Sequence, residues 1–363
     1  MADFFSEFNA VSTQEWQKSV EKVLKGQSID TLNWQYDASL NLAPLYRKSA
    51  HLDASSALQY KAENTWDIVI RIVAKDYTSV EAMNAAALSH LAGGATELVF
   101  VLEEALAVET LLAGIWLDMV RISWQVPTVA MAEIILQQLN AMAGDKIVSG
   151  HMHIVHANMT EVYNFSKTNA ILPFSKYSFF EVKISSDKTS LAQNLGTSLE
   201  HIVSWLQMFK KAGEDLALAV SQMQITLSVG DAYFVEIAKI RAFKRLWLAV
   251  LAYLEVENLL LPRLIAYTES INHLDKNGEY SLLAATSQAL SAVIAGVDGL
   301  CIQAPQTWEG IDTATAERLA RNVHFILLQE SHLNAVVDPS AGAYYIEAAT
   351  AQLSETAWNL CNF

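Results

Sequence analysis

Three histidines in one short segment are the residues of this chain best suited to hold a metal ion. The segment reads HMHIVH, and its apolar residues predict a β-strand. In a strand, His151 and His153 lie on one face while His156 lies on the other. Two histidines on one face can begin a metal site, but a metal needs at least a third ligand, and the sequence marks none. The favoured interpretation is therefore a set of polar residues in a barrel lumen or at a strand end.

Charged residues elsewhere could bind an anion, but each group has a simpler explanation. Asp187 and Lys188 follow a predicted strand, where barrel enzymes place their chemistry, and a short charged loop explains them equally well. A basic cluster lies on a long predicted helix, and Glu236, three residues before its first lysine, indicates pairing along the helix. This favours a solvated or interface face over an anion site. The cluster consists of Lys239, Arg241, Lys244 and Arg245.

The short motifs of familiar enzymes are missing from the sequence. It contains no GxGxxG, GxxxxGK[ST], HExxH or nucleophile elbow. Gly93 and Gly94 fit the end of a helix better than a phosphate-binding loop. Cys301 and Cys361 have no metal or redox spacing, and Cys301 lies in an apolar run that predicts a buried thiol. The residues by themselves therefore define no catalytic constellation, and we expect neither a catalytic residue nor a metal.

Composition restricts the classes of partner. The chain has 363 residues, a net charge of −15 and a pI near 5.0, which argues against nucleic acid as a partner and gives no general attraction for an anionic substrate. Hydrophobic residues make up 52% of the sequence, yet no run reaches the roughly 18 apolar residues of a membrane span. We therefore expect a large core and a buried subunit interface. The N-terminus lacks the pattern of a signal peptide, so a cytoplasmic location is expected.

A rhythm of short apolar strands and longer helices begins near residue 65 and repeats eight times. This alternation predicts an α/β fold, a (β/α)8 TIM barrel, because each strand must be covered on both faces. The predicted strands are Trp66–Ala74, Leu98–Leu102, Met119–Trp124, Ile147–Val155, Tyr177–Ile184, Met223–Val229, Ile265–Ile271 and Leu300–Ala304. The predicted helices are Ser79–Leu91, Glu104–Leu112, Thr128–Met142, Thr160–Ile171, Thr189–Lys211, Asp231–Leu254, Tyr280–Ala295 and Thr313–Glu330.

The segments outside the barrel differ in character. Residues 1–64 combine a predicted helix with an aromatic extended stretch, and they form an N-terminal arm that packs on its own barrel or on a partner. Residues 65–363 form the barrel and a C-terminal helical tail, whose last helix begins at Tyr344. A disordered arm would contain fewer tryptophans and tyrosines.

Several of these segments resemble the barrel domain of methylmalonyl-CoA mutases. The resemblance is carried by FVEIAKIRAFKRLWL at 234–248, ARNVHFILLQES at 320–331 and VDPSAGAYYIE at 337–347. Glu15-Trp16, Val23–Gly26 and Pro44–Tyr46 are similar to the N-terminal arm of that family. The motifs occur in the family's order and cover most of the chain.

The resemblance implies a barrel whose axis is threaded by an acyl-CoA. In the family, a separate domain holds adenosylcobalamin through a histidine in a DxHxxG motif, and a radical rearrangement interconverts methylmalonyl-CoA and succinyl-CoA. Many bacterial members are heterodimers of a catalytic large subunit and a related small subunit without the catalytic groups.

The sequence departs from the catalytic pattern of the family at its site positions. DxHxxG is missing, so no cobalamin-binding domain is expected in these 363 residues. Lys183 replaces the histidine after the fifth strand, and Arg71 falls near the tyrosine of the first strand. Gln222 and Gln224 stand where an Arg-x-Ser would contact CoA. These four positions are the candidate substrate-binding residues of a degenerate site, and Arg71 and Lys183 would need a partner or an anion if buried.

Three functions follow from this comparison. The leading hypothesis is a small, non-catalytic subunit that forms a heterodimer with a mutase large subunit. Adenosylcobalamin would be present in that complex but would not be bound by this chain. An isolated chain could form a homodimer. The second hypothesis is a barrel that binds an acyl-CoA while a separate chain supplies the cobalamin. The third hypothesis is a barrel that binds another anion through Arg71 and Lys183.

Overall fold

The computed structural model describes residues 11–47, 61–169, 175–186, 190–256, 261–270, 278–305 and 308–363. Within these ranges, the strand segments of the barrel are β3 (Asp67–Val73), β4 (Glu97–Val101), β5 (Arg121–Val126), β6 (Val148–Ile154), β7 (Ser175–Ser178), β8 (Phe180–Ile184), β9 (Met223–Val229), β10 (Arg263–Thr268) and β11 (Gly299–Cys301). They form one parallel sheet, in the order β7-β6-β5-β4-β3-β11-β10-β9-β8.

The two edges of this sheet belong to one stretch of chain, so the sheet closes into a barrel. Only Phe179 separates β7 from β8, and the backbone N–H groups of Phe179 and Phe180 both donate to the carbonyl oxygen of Gln222 at 2.9 Å. Two residues facing one is the pattern of a β-bulge. The predicted continuous strand Tyr177–Ile184 is therefore interrupted, and β7 and β8 together are the fifth of eight barrel strands. The predicted (β/α)8 fold is confirmed.

Helices cover the outside of the barrel. Several begin with a hydroxyl side chain that accepts from the N–H three residues on, as Ser79, Thr128 and Ser190 do. The helices are α1 (Thr13–Val23), α2 (Val80–Ala92), α3 (Val108–Leu111), α4 (Val129–Ala143), α5 (Met159–Asn169), α6 (Leu191–Lys211), α7 (Leu216–Ser221), α8 (Tyr233–Tyr253), α9 (Gly278–Ile294), α10 (Thr313–Phe325) and α11 (Tyr344–Leu360). No helix among the described residues is both long enough and apolar enough to cross a membrane.

Three helical segments differ from their predicted form. The segment 104–112 contains only the single turn of α3, and the short helix α7 was not predicted. The predicted helix Thr313–Glu330 consists of α10 and a π-helical segment, Ile326–Glu330. Gly93 caps the end of α2, as predicted. A short helix such as α3 leaves too little periodic pattern for its ends to be found from sequence.

The basic cluster of α8 is buried, so the prediction of a solvated or interface face was wrong for three of its four members. The side chain of Lys239 is fully buried, and its Nζ lies 2.5 Å from an oxygen of Glu236. Lys244 is also buried and donates to the carbonyl oxygens of Ala295 at 2.6 Å and Gly296 at 2.9 Å. Each charge is thus matched inside the protein, as a buried charge requires.

Arg241, the third buried member of the cluster, connects α8 to the C-terminal tail. Its guanidinium pairs with Asp338, and with Glu347 at 2.6 Å. The same oxygen of Glu347 accepts from the N–H of Gly342 at 3.0 Å. The fourth member, Arg245, is exposed. Arg241 therefore holds α8, the turn around residue 338 and the start of α11 in one arrangement.

The arm is attached to the barrel by the buried carboxylate of Asp37, by the Ser39 hydroxyl, which accepts from Ala192 at 3.2 Å, and by the buried side chains of Leu40 and Leu42. A two-residue ladder joins β1 (Trp34–Gln35) to β2 (Asn41–Leu42), and Asp37 lies in the turn between them. One oxygen of Asp37 accepts from the N–H groups of Ser39 at 2.7 Å and Leu40 at 2.9 Å, and the other accepts from Leu191 at the start of α6 at 2.6 Å. In contrast, α1 has no buried residue. The second half of the described arm packs on its own barrel, while α1 remains exposed.

Candidate functional site

A cavity of about 510 Å³ opens at the carboxyl ends of the barrel strands. Side chains from several different strands converge there, which is where TIM-barrel proteins build their sites. Helices α2 and α10 form one side of it through His90, Glu317 and Arg321. Its polar lining residues on or next to the strands are Arg71, Gln125, Glu181, Lys183, Ser185, Thr226, Ser228, Tyr267, Thr268, Cys301 and Gln303.

Two of the four predicted site residues meet in this cavity. Arg71 is exposed, and its guanidinium lies 3.5 Å from the side-chain oxygen of Gln125. Lys183 has a side chain that is 58% exposed, and its Nζ lies 3.3 Å from an oxygen of Glu181. Both cations therefore keep contact with solvent, and neither carries the cost of a buried unpaired charge.

The other two predicted residues lie outside the cavity. Gln222 ends α7, just before β9, and Gln224 is the second residue of that strand. Both side chains are buried. The amino end of a parallel strand faces away from the carboxyl end at which the cavity opens, which explains the separation from Arg71 and Lys183.

Below the cavity, a small apolar layer fills the barrel. Val69, Ile265 and Cys301 are buried against one another, with Val99 and Tyr267 packed around them. The thiol of Cys301 is free and buried, as predicted, and burial raises its pKa to about 12. A neutral thiol at physiological pH is a packing group and not a nucleophile.

A layer of four charged residues crosses the barrel below the apolar layer. Arg263 pairs with Asp67 at 2.7 Å and with Glu97, and Arg121 lies 3.7 Å from the same oxygen of Glu97. Each of the four is the first residue of its strand, so the layer lies at the amino end of the barrel. We call Asp67, Glu97, Arg121 and Arg263 the axial ion-pair layer. Together with the apolar layer, it fills the axis beneath the cavity.

A cluster of two histidines and a glutamate adjoins the cavity, and Glu181 is the member that lines it. His151, His153 and Glu181 each place one ligand-capable atom within 4.8 Å of the others. His153 Nδ1 lies 2.9 Å from Glu181 Oε2, and Thr226 donates to Glu181 Oε1 at 2.6 Å. Burial alone would raise the pKa of Glu181, but the hydrogen bond and charge of His153 hold it well below its usual range. The predicted pair of same-face histidines therefore has a third neighbour, which the sequence did not mark.

The remaining sequence candidates lie apart from this cluster. His156 is exposed and lies in the turn after β6, so its predicted place on the opposite strand face does not apply. The rings of His151 and His153 stack on one face of β6, as predicted. Asp187 and Lys188 lie outside the described residues. Glu181 was missed because it looked like an ordinary strand residue. In this strand, charged residues alternate with apolar ones, although both faces of a barrel strand are covered. That alternation could have indicated that Glu181 points into the lumen.

Two buried histidines predict that the fold loses stability in mild acid. Burial lowers the pKa of His151 to about 4 and that of His324 to about 3. In the unfolded chain both groups titrate near 6.5, so below that pH the unfolded state binds protons that the folded state excludes. The free energy of unfolding should therefore fall by at most about 1.4 kcal/mol per pH unit for each histidine. Urea midpoints at pH 7.5, 6.5, 5.5 and 4.5 measure this slope.

A variant of an exposed histidine serves as the control for this slope. His156→Ala should leave it unchanged, since that ring is solvated in both states. His324→Gln should make it shallower. Carboxylates with depressed pKa values, such as Glu181, contribute only at still lower pH. Equal urea midpoints from pH 7.5 to 4.5 would contradict the burial of neutral histidines.

The comparisons with known proteins can now be set beside this geometry. The methylmalonyl-CoA mutase family model matches residues 157–362, which is more than half of the chain. A methylmalonyl-CoA mutase small subunit from Porphyromonas gingivalis is 27% identical over 98% of this chain and 63% of its own length. One from Streptomyces virginiae is 26% identical over the same shares. The chain thus spans 63% of the length of these relatives.

Similar solved structures include dihydropteroate synthases of Xanthomonas albilineans. Two of them align with TM-scores of 0.40 and 0.41, at 14% and 13% identity. Each alignment covers 73% of this chain, with 91% and 93% of the other chain. Two of the segments that carry the sequence resemblance, 234–248 and 337–347, are joined by the ion pairs of Arg241 with Asp338 and Glu347. Because the family model matches more than half of the chain, from α5 to the C-terminal tail, this chain belongs to the methylmalonyl-CoA mutase family.

Proposed function

We propose that this chain is the small, non-catalytic subunit of a cobalamin-dependent mutase in the cytoplasm. Its partner would be a large catalytic subunit that interconverts methylmalonyl-CoA and succinyl-CoA, and its role would be to stabilise that subunit in a heterodimer. The observation that carries the proposal is the filled barrel axis. An acyl-CoA that threads the axis needs a passage, and here two layers of side chains occupy it.

Opening the axis would cost free energy. Glu97 is buried, with its oxygens bound to Ser123 at 2.7 Å and to Arg263. Moving Arg263 aside would leave the buried Glu97 to Arg121, at 3.7 Å, and would separate Asp67 from its cation. Because Arg263 and Asp67 are partly exposed, the cost is below the roughly 3–5 kcal/mol of breaking a fully buried pair. A CoA chain would also have to displace the apolar layer around Val69. The proposal therefore treats the axis as closed.

The cavity side chains also favour a non-catalytic role. By the resemblance, Lys183 occupies the position of a histidine in the catalytic subunits. Its ammonium is paired with Glu181 and lies 3.5 Å from His153 Nε2. A lysine held in this way does not replace a neutral imidazole as a donor and acceptor of hydrogen bonds.

The cavity residues do not fit adenosylcobalamin as a group resident on this chain. The resemblance expects a DxHxxG histidine, and neither His90 nor His324 lies in such a segment. Both are buried; His324 Nδ1 accepts from Trp66 at 3.2 Å, and His90 Nδ1 lies 3.0 Å from Arg321. In the proposal the cofactor therefore belongs to the large subunit, and no step of its chemistry involves residues of this chain.

The exposed helix α1 of the arm offers a surface that a partner could cover. Trp16, Val20 and Leu24 follow one another at intervals of four residues, so they form an apolar stripe on α1. None of them is buried by the described part of the chain, although Arg47 lies 4.7 Å from the centre of the Trp16 ring. The proposal assigns this stripe to the large subunit.

A second candidate function is the binding of an acyl-CoA or another anion at the cavity. The cavity favours it, because Arg71 and Lys183 lie exposed in a space large enough for a small acyl group. Such a ligand would enter from the carboxyl end and not along the axis. The two candidates differ in what the isolated chain binds.

Co-expression with the mutase large subunit of the same organism tests the proposal. We expect a one-to-one complex on size exclusion, which interconverts methylmalonyl-CoA and succinyl-CoA when adenosylcobalamin is present. The isolated chain should show no turnover with added adenosylcobalamin. It should also give no heat on titration with methylmalonyl-CoA up to about 1 mM, which corresponds to a binding free energy weaker than about −4 kcal/mol.

A variant pair in the arm adds a control. Asp37→Ala should remove the hydrogen bond from Leu191 at the start of α6, loosen the arm and weaken the complex. Asp30→Ala makes the same substitution at an exposed carboxylate that accepts from Ser28 of the arm itself at 3.0 Å, so it should leave the complex intact. Turnover by the isolated chain would refute the non-catalytic role. Failure to form any complex would refute the subunit role, and saturable binding of methylmalonyl-CoA that Lys183→Glu abolishes would favour the second candidate.

A further inference from the structure

We infer that His151, His153 and Glu181 form a binding site for a divalent transition-metal ion in the barrel lumen, next to the cavity. The three residues bring one ligand-capable atom each to within 4.8 Å of one another. They come from β6 and β8, which are rigid elements of the barrel wall.

His151 is held in the form that a metal ligand needs. Its ring is buried, and Nδ1 lies 2.8 Å from the hydroxyl oxygen of Ser178. Donation from Nδ1 to this oxygen leaves a lone pair on Nε2, and Nε2 has no hydrogen-bond partner in the described part of the chain. A ligating histidine whose other nitrogen is fixed by an outer partner is the usual arrangement in metal sites. Burial, which disfavours the protonated ring, also keeps His151 neutral.

Glu181 is oriented in a similar way by a residue outside the cluster. Thr226 donates to Oε1 at 2.6 Å, so Oε2 is the oxygen that faces His153 at 2.9 Å. A metal ion between Oε2 and the two rings would take the place of the His153 hydrogen bond.

The ammonium group of Lys183 competes with a metal ion for Glu181 and His153. Its Nζ lies 3.3 Å from Glu181 Oε2 and 3.5 Å from His153 Nε2, yet its side chain is 58% exposed. A flexible and solvated lysine can withdraw into the cavity when a divalent ion binds. We therefore expect Lys183 to weaken metal binding without preventing it.

The donor set indicates the class of metal. Two imidazoles and one carboxylate suit Zn²⁺, Co²⁺, Mn²⁺ or Fe²⁺, and not Ca²⁺ or Mg²⁺, which prefer oxygen ligands. Three protein ligands leave at least one coordination position open. Glu181, Lys183 and Thr226 line the cavity, so that position would be reached from it. An anion such as a carboxylate is the ligand that an open position of this kind would take.

The test is calorimetric titration of the isolated, untagged chain with Zn²⁺ at pH 7.5, together with the visible absorption of added Co²⁺. We expect one ion per chain and an increase in melting temperature on addition of Zn²⁺. His153→Ala and Glu181→Gln should each weaken Zn²⁺ binding more than 100-fold. Loss of an outer partner in Thr226→Val should weaken it about 10–100-fold, and Lys183→Met should strengthen it.

His156→Ala is the matched control, because it removes an exposed histidine of the same HMHIVH segment. It should bind Zn²⁺ like the parent chain. The site is refuted if the parent shows no saturable binding, or if His153→Ala and His156→Ala bind alike. Circular dichroism of each variant without metal confirms that it is folded before its affinity is compared. Binding is measured without a large subunit, so its outcome does not depend on the proposed function.

Discussion

Arg241→Leu is expected to lower the free energy of unfolding by about 3–5 kcal/mol, the usual cost of removing one partner from a buried ion pair. Asp338 and Glu347 would both lose their cation, and Glu347 is buried. Because these groups join α8 to the C-terminal tail, we expect the tail to become more accessible to protease as well. Urea unfolding followed by circular dichroism measures the first effect, and limited proteolysis measures the second.

The same helix offers a matched control. Arg245→Leu removes an exposed arginine four residues further on, so its effect should stay within about 0.5 kcal/mol. A second variant, Arg241→Leu combined with Asp338→Asn and Glu347→Gln, removes the uncompensated carboxylates and should recover part of the loss. If Arg241→Leu were as stable as Arg245→Leu, the buried cluster would have no role in stability.

Gly150→Ala is expected to destabilise the fold by about 3 kcal/mol or more, because there is no room for a Cβ atom. An added Cβ would lie 1.9 Å from the carbonyl oxygen of Ile122 and 3.0 Å from Cε1 of Tyr177. The carbonyl cannot move freely, since it accepts from the Tyr177 hydroxyl at 2.6 Å. We expect a large fall in melting temperature and in the yield of soluble protein.

Gly213→Ala provides the comparison for this substitution. Gly213 has φ +71°, and no atom lies within 4 Å of its added Cβ. Gly213→Ala should therefore lower the free energy of unfolding by only about 1–2 kcal/mol, the cost of placing alanine in the left-handed conformation. If Gly150→Ala lowered the melting temperature no more than Gly213→Ala does, the close approach of β5 and β6 at Ile122 would be contradicted.

Much of the barrel could be predicted because its strands and helices alternate with clear periodicity. Strand β9 has the predicted bounds, Met223–Val229, and α8 differs from its prediction by two residues at the start and one at the end. The burial of Arg241 could not be predicted in this way. Its partners lie 97 and 106 residues away in sequence, whereas the local pattern shows only Glu236. Long-range pairing leaves no periodic signal.

The candidate site was predictable to the extent that it depends on strand ends. Arg71 and Lys183 meet because both lie toward the carboxyl ends of strands that close into one barrel. Gln222 and Gln224 do not meet them, because they lie at the start of β9. Alternation in β6 placed His151 and His153 on one face, but the third member, Glu181, depends on how two neighbouring strands align. That alignment follows from contacts across the barrel, which one sequence does not contain.

The break at Phe179 determines which side chains of the fifth strand enter the lumen. In an uninterrupted strand, Ser178 would share a face with Phe180 and Val182, and Glu181 would point outward against the helices. The extra residue reverses this order, so that Ser178 contacts His151 while Glu181, three positions later, contacts His153. A single inserted residue thus places the ionisable Glu181 in the lumen, where an uninterrupted strand would place Phe180 and Val182.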